Sequence, residues 1–337
     1  MKGKKADIVR VAAVAKVSIS TVSRYFNHPE LVNPSTRKRI DAAVRKTGYI
    51  RNRAAQTIHG IRSGTIGVII PTLDHAIFAE VVQAFSDTVA EHGFTILLAS
   101  HGYDGQREYK ILRKLLEHRV DGIVLTGLDH SDAVFQLIES QSIPHVLIWN
   151  YSAQATHPCV GADNTLAGQL IAKHVLDLGH RKIASMFPPV DGNDRANGRL
   201  EAVLQTLRAA DVEIPPDWQL TTVYSLTTAK RDATALMSQA NRPSVLICGN
   251  DVLATGALYA AAALGLRVPQ DISVVGIGDF KGSADVVPPL TTVRLPAVEI
   301  GQTAGHALSA AIIGENSEIT GVHCLPSLIK RASCGAV

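Results

Sequence analysis

The stretch AAVAKVSISTVSRYFNHPELVNPSTRKRI, residues 12–40, joins a helical spacing of apolar residues to a surface rich in hydroxyl and basic side chains. Apolar residues recur every three or four positions up to Ala15, which predicts a helix over residues 7–15. Ser18 is a good N-cap for a second helix, because its hydroxyl can accept from the free amides of the first turn. Val22 and Phe26 lie four positions apart and are predicted to face a core.

A third helix is predicted to begin at Asn33, a capping residue followed by Pro34 at the first helical position, and to end at Gly48. This is a helix-turn-helix arrangement, whose second helix would lie in the DNA major groove with its first residues near base edges. Its short hydroxyls suit close approach to phosphates, and Arg24 can reach a phosphate or a guanine. An ordinary three-helix bundle with a basic face is the alternative.

The charge of the chain is strongly asymmetric. Residues 1–62 hold 14 Lys and Arg and three acidic residues, a net charge of +11, whereas the remainder carries −8. A basic segment on an acidic body favours a polyanionic partner for that segment alone. The charge therefore favours DNA binding over a plain helical bundle.

Residues 51–64 are interpreted as a hinge and linker. Asn52 to Ile58 can form a short helix, and Gly60 and Gly64 follow it. Such a short helix is marginal alone and could fold on docking. Ala55 and Ile58 on one face suit the minor groove, where an apolar side chain can wedge between base steps. A simple tether is the alternative.

Residues 15–58 resemble the headpiece and hinge of the LacI/GalR family of bacterial repressors. The shared motifs are A-x-V-S-x-x-T-V-S-R at residues 15–24, R-x-x-I-x-x-A-x-x-x-x-G-Y at residues 37–49 and N-R-x-A at residues 52–55. The resemblance implies that Ile19 and Ser20 begin the base-reading helix and that Ile58 intercalates. The full set of implied DNA contacts is Ser18, Ile19, Ser20, Thr21, Ser23, Arg24, Asn27, Tyr49, Asn52, Arg53, Ala55, Gln56 and Ile58.

Two residues depart from the family pattern of the headpiece. Lys16 stands where the family usually has Gly in the turn, and Arg51 stands where it usually has Pro before the hinge. Neither removes the motif. Lys16 is expected to strain the turn slightly or to add a phosphate contact.

From residue 65 the pattern changes to apolar runs typical of buried strands, with helical segments between most of them. The runs cover residues 65–71, 94–100, 120–127, 145–150, 182–188, 244–250 and 272–279, and the helices 78–92, 106–118, 132–140, 166–178, 195–210, 228–240 and 253–264. This alternation predicts parallel sheets with right-handed crossovers, which bind ligands beyond the carboxyl ends of their strands. The number of strands predicts two such subdomains with a cleft between them.

The body resembles the periplasmic-binding-protein-like core of the same family over nearly its whole length. Its landmarks include VDGIVL at residues 120–125, LGHRKIA at 178–184, DRANGR at 194–199 and PPLTTVRLP at 288–296. The resemblance implies an α/β protein: a helix-turn-helix headpiece (1–50), a hinge helix and linker (51–64), and a core of two doubly wound parallel-sheet subdomains (65–337) with crossings near 162 and 293. It also implies a homodimer on a palindromic operator, released by an effector; activation and corepression stay open.

The effector-contacting positions of the family fall, by motif, on Phe78, Trp149, Asp163, Arg195, Arg199, Asn250, Gly278 and Asp279. Sugar-binding and purine-binding members usually carry Asp where this chain has Gly278. Loss of a carboxylate beside Arg199 removes a repulsion against an anion, which favours an acidic effector. The segment 71–104 also resembles the gluconate-repressor branch. The expected effector is gluconate or a related sugar acid, with a neutral sugar as the rival.

Other classes of protein are less consistent with the sequence. No apolar run approaches the ~20 residues of a membrane span, and the N-terminus lacks the apolar stretch of a signal peptide, so a cytoplasmic location is expected. The four cysteines form no CxxC, and neither a metal nor a cofactor is expected. GIGDFKG at residues 276–282 mimics a dinucleotide fingerprint, but no helix pattern follows it, which disfavours an enzyme. A periplasmic sugar-binding protein would lack the basic N-terminal segment.

Overall fold

The computed structural model of the protein describes residues 7–51, 62–74, 76–314 and 318–337. The chain divides into two compact units, residues 1–63 and residues 64–337. Five of the predicted DNA contacts, at Asn52, Arg53, Ala55, Gln56 and Ile58, lie outside the described residues. Within the described part of the chain, no helix has both the length and the apolar character needed to cross a membrane.

Residues 7–51 of the first unit contain three α-helices. They are α1 (Ile8–Ala15), α2 (Ile19–Asn27) and α3 (Pro34–Thr47), with a 3₁₀ turn at Pro29–Leu31 before the third. Val11, Val22 and Ile40 are fully buried where the three helices meet. Asn33 caps α3 by accepting from the Ser35 amide, and Gly48 ends it in the left-handed conformation. The core is small, so its caps and turns matter for stability.

Lys16 occupies the turn between α1 and α2. Its backbone is left-handed, with φ 52° and ψ 51°, and its amide donates to the carbonyl groups of Ala12 and Ala13. This conformation costs a side-chain-bearing residue energy that glycine avoids. The strain expected from Lys16 in place of the usual glycine therefore arises from its left-handed backbone.

The second unit begins with a six-stranded parallel sheet. Its strands are β1 (Thr65–Ile70), β2 (Thr95–Ser100), β3 (Gly122–Thr126), β4 (His145–Asn150), β5 (Cys159–Ala162) and β11 (Val322–His323), in the order β11-β5-β4-β3-β1-β2. The helices α4 (Ala76–Glu91), α5 (Gly105–Glu117) and α6 (Asp132–Ser140) connect them, and α11 (Ala297–Ile313) packs against α4. Alternate residues of β1 join two different buried clusters, so both faces of this sheet are covered.

A second six-stranded sheet forms the other subdomain. Its strands are β6 (Ile183–Phe187), β7 (Gln219–Thr221), β8 (Val245–Cys248), β9 (Ser273–Gly278), β10 (Thr291–Arg294) and β12 (Ser327–Ile329), in the order β12-β10-β9-β8-β6-β7. All pair in parallel except β12, which runs antiparallel to β10. The helices α7 (Asn164–Asp177), α8 (Asp194–Arg208), α9 (Leu226–Met237) and α10 (Asp251–Ala263) belong to this subdomain, with α7 packed on α8 and α9 on α10.

The chain passes between the two sheets three times: after β5, after β10, and between β11 and β12. The third passage and helix α11 were not anticipated in the sequence, because α11 follows a short strand and carries a nearly uniform apolar and small-residue composition. The predicted fold class, an α/β protein with helix-turn-helix helices and two parallel-sheet subdomains, is confirmed. Open α/β sheets bind ligands beyond the carboxyl ends of their parallel strands, which is therefore where a site is expected here.

Candidate functional sites

The start of α2 is a cluster of hydroxyl groups. Ser18 caps the helix by accepting from the Thr21 amide at 3.1 Å, and its Oγ lies 2.8 Å from Ser20 Oγ and 2.7 Å from Thr21 Oγ1. Free amides at a helix N-terminus, together with these hydroxyls, form a donor surface suited to an anion. The cluster can therefore approach a DNA phosphate closely.

Two side chains project from the exposed face of α2. Ile19 is 47% exposed although it is apolar. Arg24 is exposed, and no hydrogen bond or ion pair joins its side chain to another described residue. An exposed apolar residue beside hydroxyls and a free guanidinium is an arrangement that can read base edges. Ser23, by contrast, is half-buried and accepts from Asn27 at 3.4 Å.

Two of the predicted DNA contacts are engaged within the headpiece. Asn27 accepts a hydrogen bond from Arg51, whose other amino group donates to the Phe26 carbonyl at 2.9 Å. Tyr49 packs against the Phe26 ring, with centroids 5.9 Å apart. The unexpected Arg51 thus ties the chain after α3 to the end of α2. Asn27 and Tyr49 hold the helices together in this arrangement, and any DNA contact by Asn27 would compete with Arg51.

The cleft between the two sheets contains a small cavity at the carboxyl ends of their strands. Trp149 lies at the end of β4, Ile277 near the end of β9, and Leu295 directly after β10. Five of the eight predicted effector contacts line this cavity, and six further residues complete it. The predicted contacts are Phe78, Trp149, Arg195, Arg199 and Asn250; the additional ones are Tyr103, Asn193, Tyr224, Ile277, Phe280 and Leu295.

Aromatic rings form the first subdomain's wall of the cavity. The rings of Phe78 and Trp149 are 5.8 Å apart and both residues are buried. Trp149 has a left-handed backbone with φ 82°, which is unusual for a bulky side chain. Such strain persists only where the surroundings fix it, and here it turns a large apolar surface towards the cavity.

Arg195 links the two subdomains across the cleft. Its guanidinium donates to the Thr126 carbonyl at 3.2 Å and pairs with Asp194 at 2.6 Å. Asp194 in turn accepts from the Leu128 amide and from Asn150, both at 2.8 Å. Burial would raise the pKa of Asp194, but Arg195 and these donors outweigh it and hold that pKa below its ordinary value. The charge of Arg195 is therefore already neutralised.

Arg199 lies one helical turn further along α8 in a different environment. It is 5% exposed, donates to Asn164 at 2.6 Å and lies 3.5 Å from the Tyr224 hydroxyl, and its Nε has no partner. Burial lowers its pKa. Among the described residues no carboxylate forms an ion pair with it. A buried cation with only neutral partners is costly, and an anion in the cavity would offset that cost.

Asp163 has a structural position next to the cavity rather than in it. Its side chain caps α7 by accepting from the Leu166 amide at 3.0 Å. Its neighbour Asn164 is the residue that contacts Arg199, and Asn164 also donates to Asn150 at 3.1 Å. A Cβ at Gly168 would lie 2.4 Å from the Arg199 carbonyl, so glycine allows α7 to pack closely on α8.

Gly278 and Phe280 form one unit in the turn after β9. Gly278 has φ 141°, and a Cβ there would lie 2.0 Å from Cε1 of the Phe280 ring. Glycine is therefore required for this turn, and Phe280 lines the cavity where a side chain at 278 would otherwise project. Gly278 itself does not line the cavity. The argument from a missing carboxylate at 278 is thus corrected: an aromatic ring replaces it.

The two carboxylates near this turn are turned away from the cavity. Asp279 is buried and pairs with Arg294 and Arg331, both at 2.6 Å. Asp251 accepts from Ser283 and Thr292, each at 2.6 Å, and from the Phe280 amide at 3.0 Å; burial raises its pKa. Asp279 was expected to contact the effector, but its oxygens are taken by two arginines. Asp251 fixes the backbone that presents Phe280.

The cavity is small, and a larger space opens beside it. The inner cavity has a volume of about 30 Å³, whereas the adjoining mouth of the cleft has about 380 Å³ and is lined in part by Pro188, Pro189 and Val223. Tyr103, Asn193 and Tyr224 line both. Pockets for small ligands commonly measure about 300–1,000 Å³, so the mouth is large enough for a sugar but the inner cavity is not. A sugar-sized ligand can enter the inner cavity only if its walls move apart.

Known families match both units of the chain. The model described as bacterial regulatory proteins, lacI family, matches residues 8–52, and that described as periplasmic binding proteins and sugar binding domain of LacI family matches residues 63–330. The chain belongs to the LacI family. It is 29% identical over 330 residues to the HTH-type transcriptional repressor PurR of Klebsiella pneumoniae (strain 342), which covers 97% of this chain and 96% of that protein.

Solved structures of LacI-family regulators agree with this assignment. The lac repressor dimer bound to operator and the anti-inducer ONPF has a TM-score of 0.84 at 26% identity, covering 99% of this chain and 100% of that one. The transcription regulator GntR of Chromobacterium violaceum has a TM-score of 0.75 at 29% identity, covering 80% and 98%. This LacI-family protein is accordingly a DNA-binding transcriptional repressor that responds to a small molecule, and not an enzyme.

Proposed function

We propose that this LacI-family repressor binds a palindromic operator as a cytoplasmic homodimer and is released when a sugar acid, gluconate or a close relative, enters the cleft. The base-reading surface is the exposed face of α2 with Ile19, Ser20 and Arg24. The acid group of the effector pairs with Arg199. The observation that carries the effector class is the buried guanidinium of Arg199, whose described partners are neutral.

The charges around the cavity favour an anion over a neutral sugar. Arg195 is paired with Asp194, and Asp279 is paired with Arg294 and Arg331, so the carboxylates of Asp194 and Asp279 are both engaged by arginines. Arg199 is a buried cation whose described partners are neutral, and an effector can supply the missing anion. Its planar, forked donors match a carboxylate, which accepts two parallel hydrogen bonds.

The remaining lining suits the polyhydroxy body of such an acid. Asn193, Asn250 and the hydroxyls of Tyr103 and Tyr224 can bond to hydroxyl groups. The rings of Phe78, Trp149 and Phe280 offer apolar surface to C–H groups. Because the inner cavity holds only about 30 Å³, an effector must separate the subdomains, and this movement is the proposed means of changing the headpieces.

Dimerisation is supported by apolar surface on the core. The edge strand β2 leaves Leu98 37% exposed, and Val287, in the segment before β10, is 89% exposed. Unpaired edge strands and exposed apolar residues favour association. The lac repressor solved as an operator-bound dimer matches 99% of this chain.

The deciding experiment is operator release followed by fluorescence anisotropy. A duplex selected in vitro from random DNA with the full-length protein serves as the operator. At fixed salt, the complex is titrated with gluconate, 6-phosphogluconate, 2-keto-gluconate and glucose. Release by one or more of the acids, with glucose silent, is the expected result.

The other outcomes distinguish the class of the effector, the direction of its effect and the pairing of the headpieces. Release by glucose or another neutral sugar at lower concentration than any acid would discard the acid effector and leave the repressor mechanism intact. Tighter operator binding on adding an acid would make the effector a corepressor. A two-fold symmetric selected site is expected, and an asymmetric site would count against the paired headpieces.

A further inference from the structure

A second concave site lies on the first subdomain, away from the cleft. This groove has a volume of about 690 Å³ and shares no lining residue with the cleft cavity. It is lined by residues 142–145, 151–153, 155–159, 311 and 318–321. His145 begins β4 and Cys159 begins β5, so the groove lies at the amino ends of these strands, whereas the cleft cavity lies at carboxyl ends. The repressor mechanism does not use it.

Two imidazole rings in the groove point nitrogen atoms at each other. The distance from His145 Nε2 to His157 Nδ1 is 3.1 Å. Two histidine nitrogens bound to one ion at about 2.0–2.1 Å, with angles between square and tetrahedral, lie roughly 2.9–3.4 Å apart. The observed separation of 3.1 Å falls within the range expected for two ligands of a single metal ion.

Both rings are held in place by neighbours. The His145 ring lies 6.1 Å from the Phe135 ring, measured between centroids. His157 stacks on the Phe135 ring, with centroids 3.6 Å apart and planes 7° apart. Metal-binding histidines are likewise held in a fixed orientation by their neighbours.

The charge state of the pair is also suitable. Burial lowers the pKa of His145, and the neighbouring His157 lowers it further; burial likewise lowers the pKa of His157. Glu139 opposes these shifts, and His130 adds to them. Among the described residues no carboxylate forms an ion pair with either ring. Both rings are therefore neutral at pH 7, as a metal ligand must be.

We propose that His145 and His157 form a two-imidazole site for a divalent late first-row metal ion, namely Cu²⁺, Ni²⁺ or Zn²⁺. Imidazole suits these ions, and Cu²⁺ binds most tightly in the usual order of affinities. In the described part of the chain no group of three His, Cys, Asp or Glu side chains is arranged around one metal position. Water or a small anion in the open groove supplies the remaining ligands.

The rival explanation of the short contact is a single N–H···N hydrogen bond between His145 and His157. Both explanations require the same distance, so metal titration decides between them. The full-length protein is titrated with Cu²⁺ by calorimetry, and the Cu²⁺ complex is examined by electron paramagnetic resonance. The variants are His145→Ala, His157→Ala and, as a matched control, His118→Ala, which removes an exposed histidine at the end of α5.

If the site exists, each variant of the pair should weaken the affinity of the tightest Cu²⁺ site at least about tenfold. Loss of a residue that only supports a metal ligand costs about 10–100-fold in affinity, so loss of a ligand itself should cost no less. His118→Ala should leave it unchanged. The wild-type spectrum should show two nitrogen ligands.

Equal affinity in His157→Ala and His118→Ala would overturn the site and leave the plain hydrogen bond. So would a wild-type spectrum with fewer than two nitrogen ligands, a result that needs no variant to fold. Circular dichroism and operator binding check that each variant is intact.

Discussion

The headpiece and the cleft use arginine in opposite environments. Arg24 on α2 is exposed and unpaired with other described residues, whereas Arg199 on α8 is 5% exposed with neutral partners. An exposed charge at ordinary ionic strength is screened over about 10 Å, but a buried one is screened far less. The same side chain can therefore supply a salt-sensitive contact to DNA and a salt-insensitive contact to an effector.

The difference also sets what each arginine contributes before its ligand arrives. Arg24 is hydrated and loses little until it meets a phosphate or base. Arg199 has lost its hydration on folding, and Asn164 and Tyr224 compensate only in part. Folding has therefore already dehydrated the Arg199 guanidinium, and an anionic effector binds it without causing that loss again. An effector that binds one conformation more tightly in this way shifts the equilibrium towards that conformation.

The largest expected effect comes from removing the buried cation. Arg199→Met keeps the length of the side chain and removes its charge, so the affinity for a sugar acid should fall by at least about 2 kcal/mol, roughly thirtyfold. Operator affinity without effector should be unchanged, because the headpiece is a separate compact unit. Anisotropy titrations of operator release measure both quantities.

Arg208→Met is the matched control, because Arg208 is exposed on the same helix. If Arg199→Met and Arg208→Met respond to the acid alike, the buried arginine is not the anion partner. Burial of Arg199 would then give it no special role in binding an anionic effector.

The headpiece was largely predictable because its signals are local. The N-caps Ser18 and Asn33 and the stop at Gly48 are each determined by a few neighbouring residues, and the structure has them in those roles. Arg51 was less predictable. It reaches back some 25 positions to the end of α2, and sequence spacing contains no information about such a contact.

The cleft was harder because its residues come from positions 78 to 295. Asp163 was expected to contact the effector, but Asp163 caps α7 and its neighbour Asn164 contacts Arg199. The sequence does not show which of two adjacent residues takes which role. Tyr103 and Tyr224 follow the strands β2 and β7, and the rule that ligands lie beyond carboxyl ends of strands could have identified them. The orientation of Phe280 depends on Asp251, 29 residues earlier.

The next largest effect is expected in the turn of Gly278 and Phe280, where close packing leaves no room for a side chain at position 278. Gly278→Asp places a Cβ 2.0 Å from the Phe280 ring at a left-handed backbone position. The substitution should lower the free energy of unfolding of the core by about 1–3 kcal/mol, the usual cost of overpacking and backbone strain. Thermal unfolding monitored by circular dichroism measures the change.

A companion variant separates the two causes. Gly278→Asp with Phe280→Ala removes the ring, so the steric part of the loss should be recovered while the cost of the backbone angle remains. If Gly278→Asp alone is as stable as wild type, the turn can rearrange, and a carboxylate can enter the cavity without moving Phe280.

The smallest expected effect concerns the turn of the headpiece. Lys16 has a left-handed backbone, so Lys16→Gly should stabilise α1 and α2 by up to about 1 kcal/mol, since relief of strain exceeds the extra freedom that glycine adds to the unfolded chain. Amide hydrogen exchange of residues 8–27 in the full-length protein reports this locally. Ala13→Gly is the control: Ala13 is exposed within α1, and the change should destabilise the helix by about 1 kcal/mol.

Operator affinity distinguishes the two roles of Lys16. If Lys16→Gly slows exchange but weakens binding with a smaller salt dependence, the lysine contributes a phosphate contact that offsets its strain. If exchange slows and binding is unchanged, Lys16 acts only on the turn. Faster exchange in Lys16→Gly, as in Ala13→Gly, would mean that the lysine side chain stabilises the headpiece. An exposed cation would then contribute to folding, whereas the comparison with Arg199 assigns the exposed cations of the headpiece to DNA binding alone.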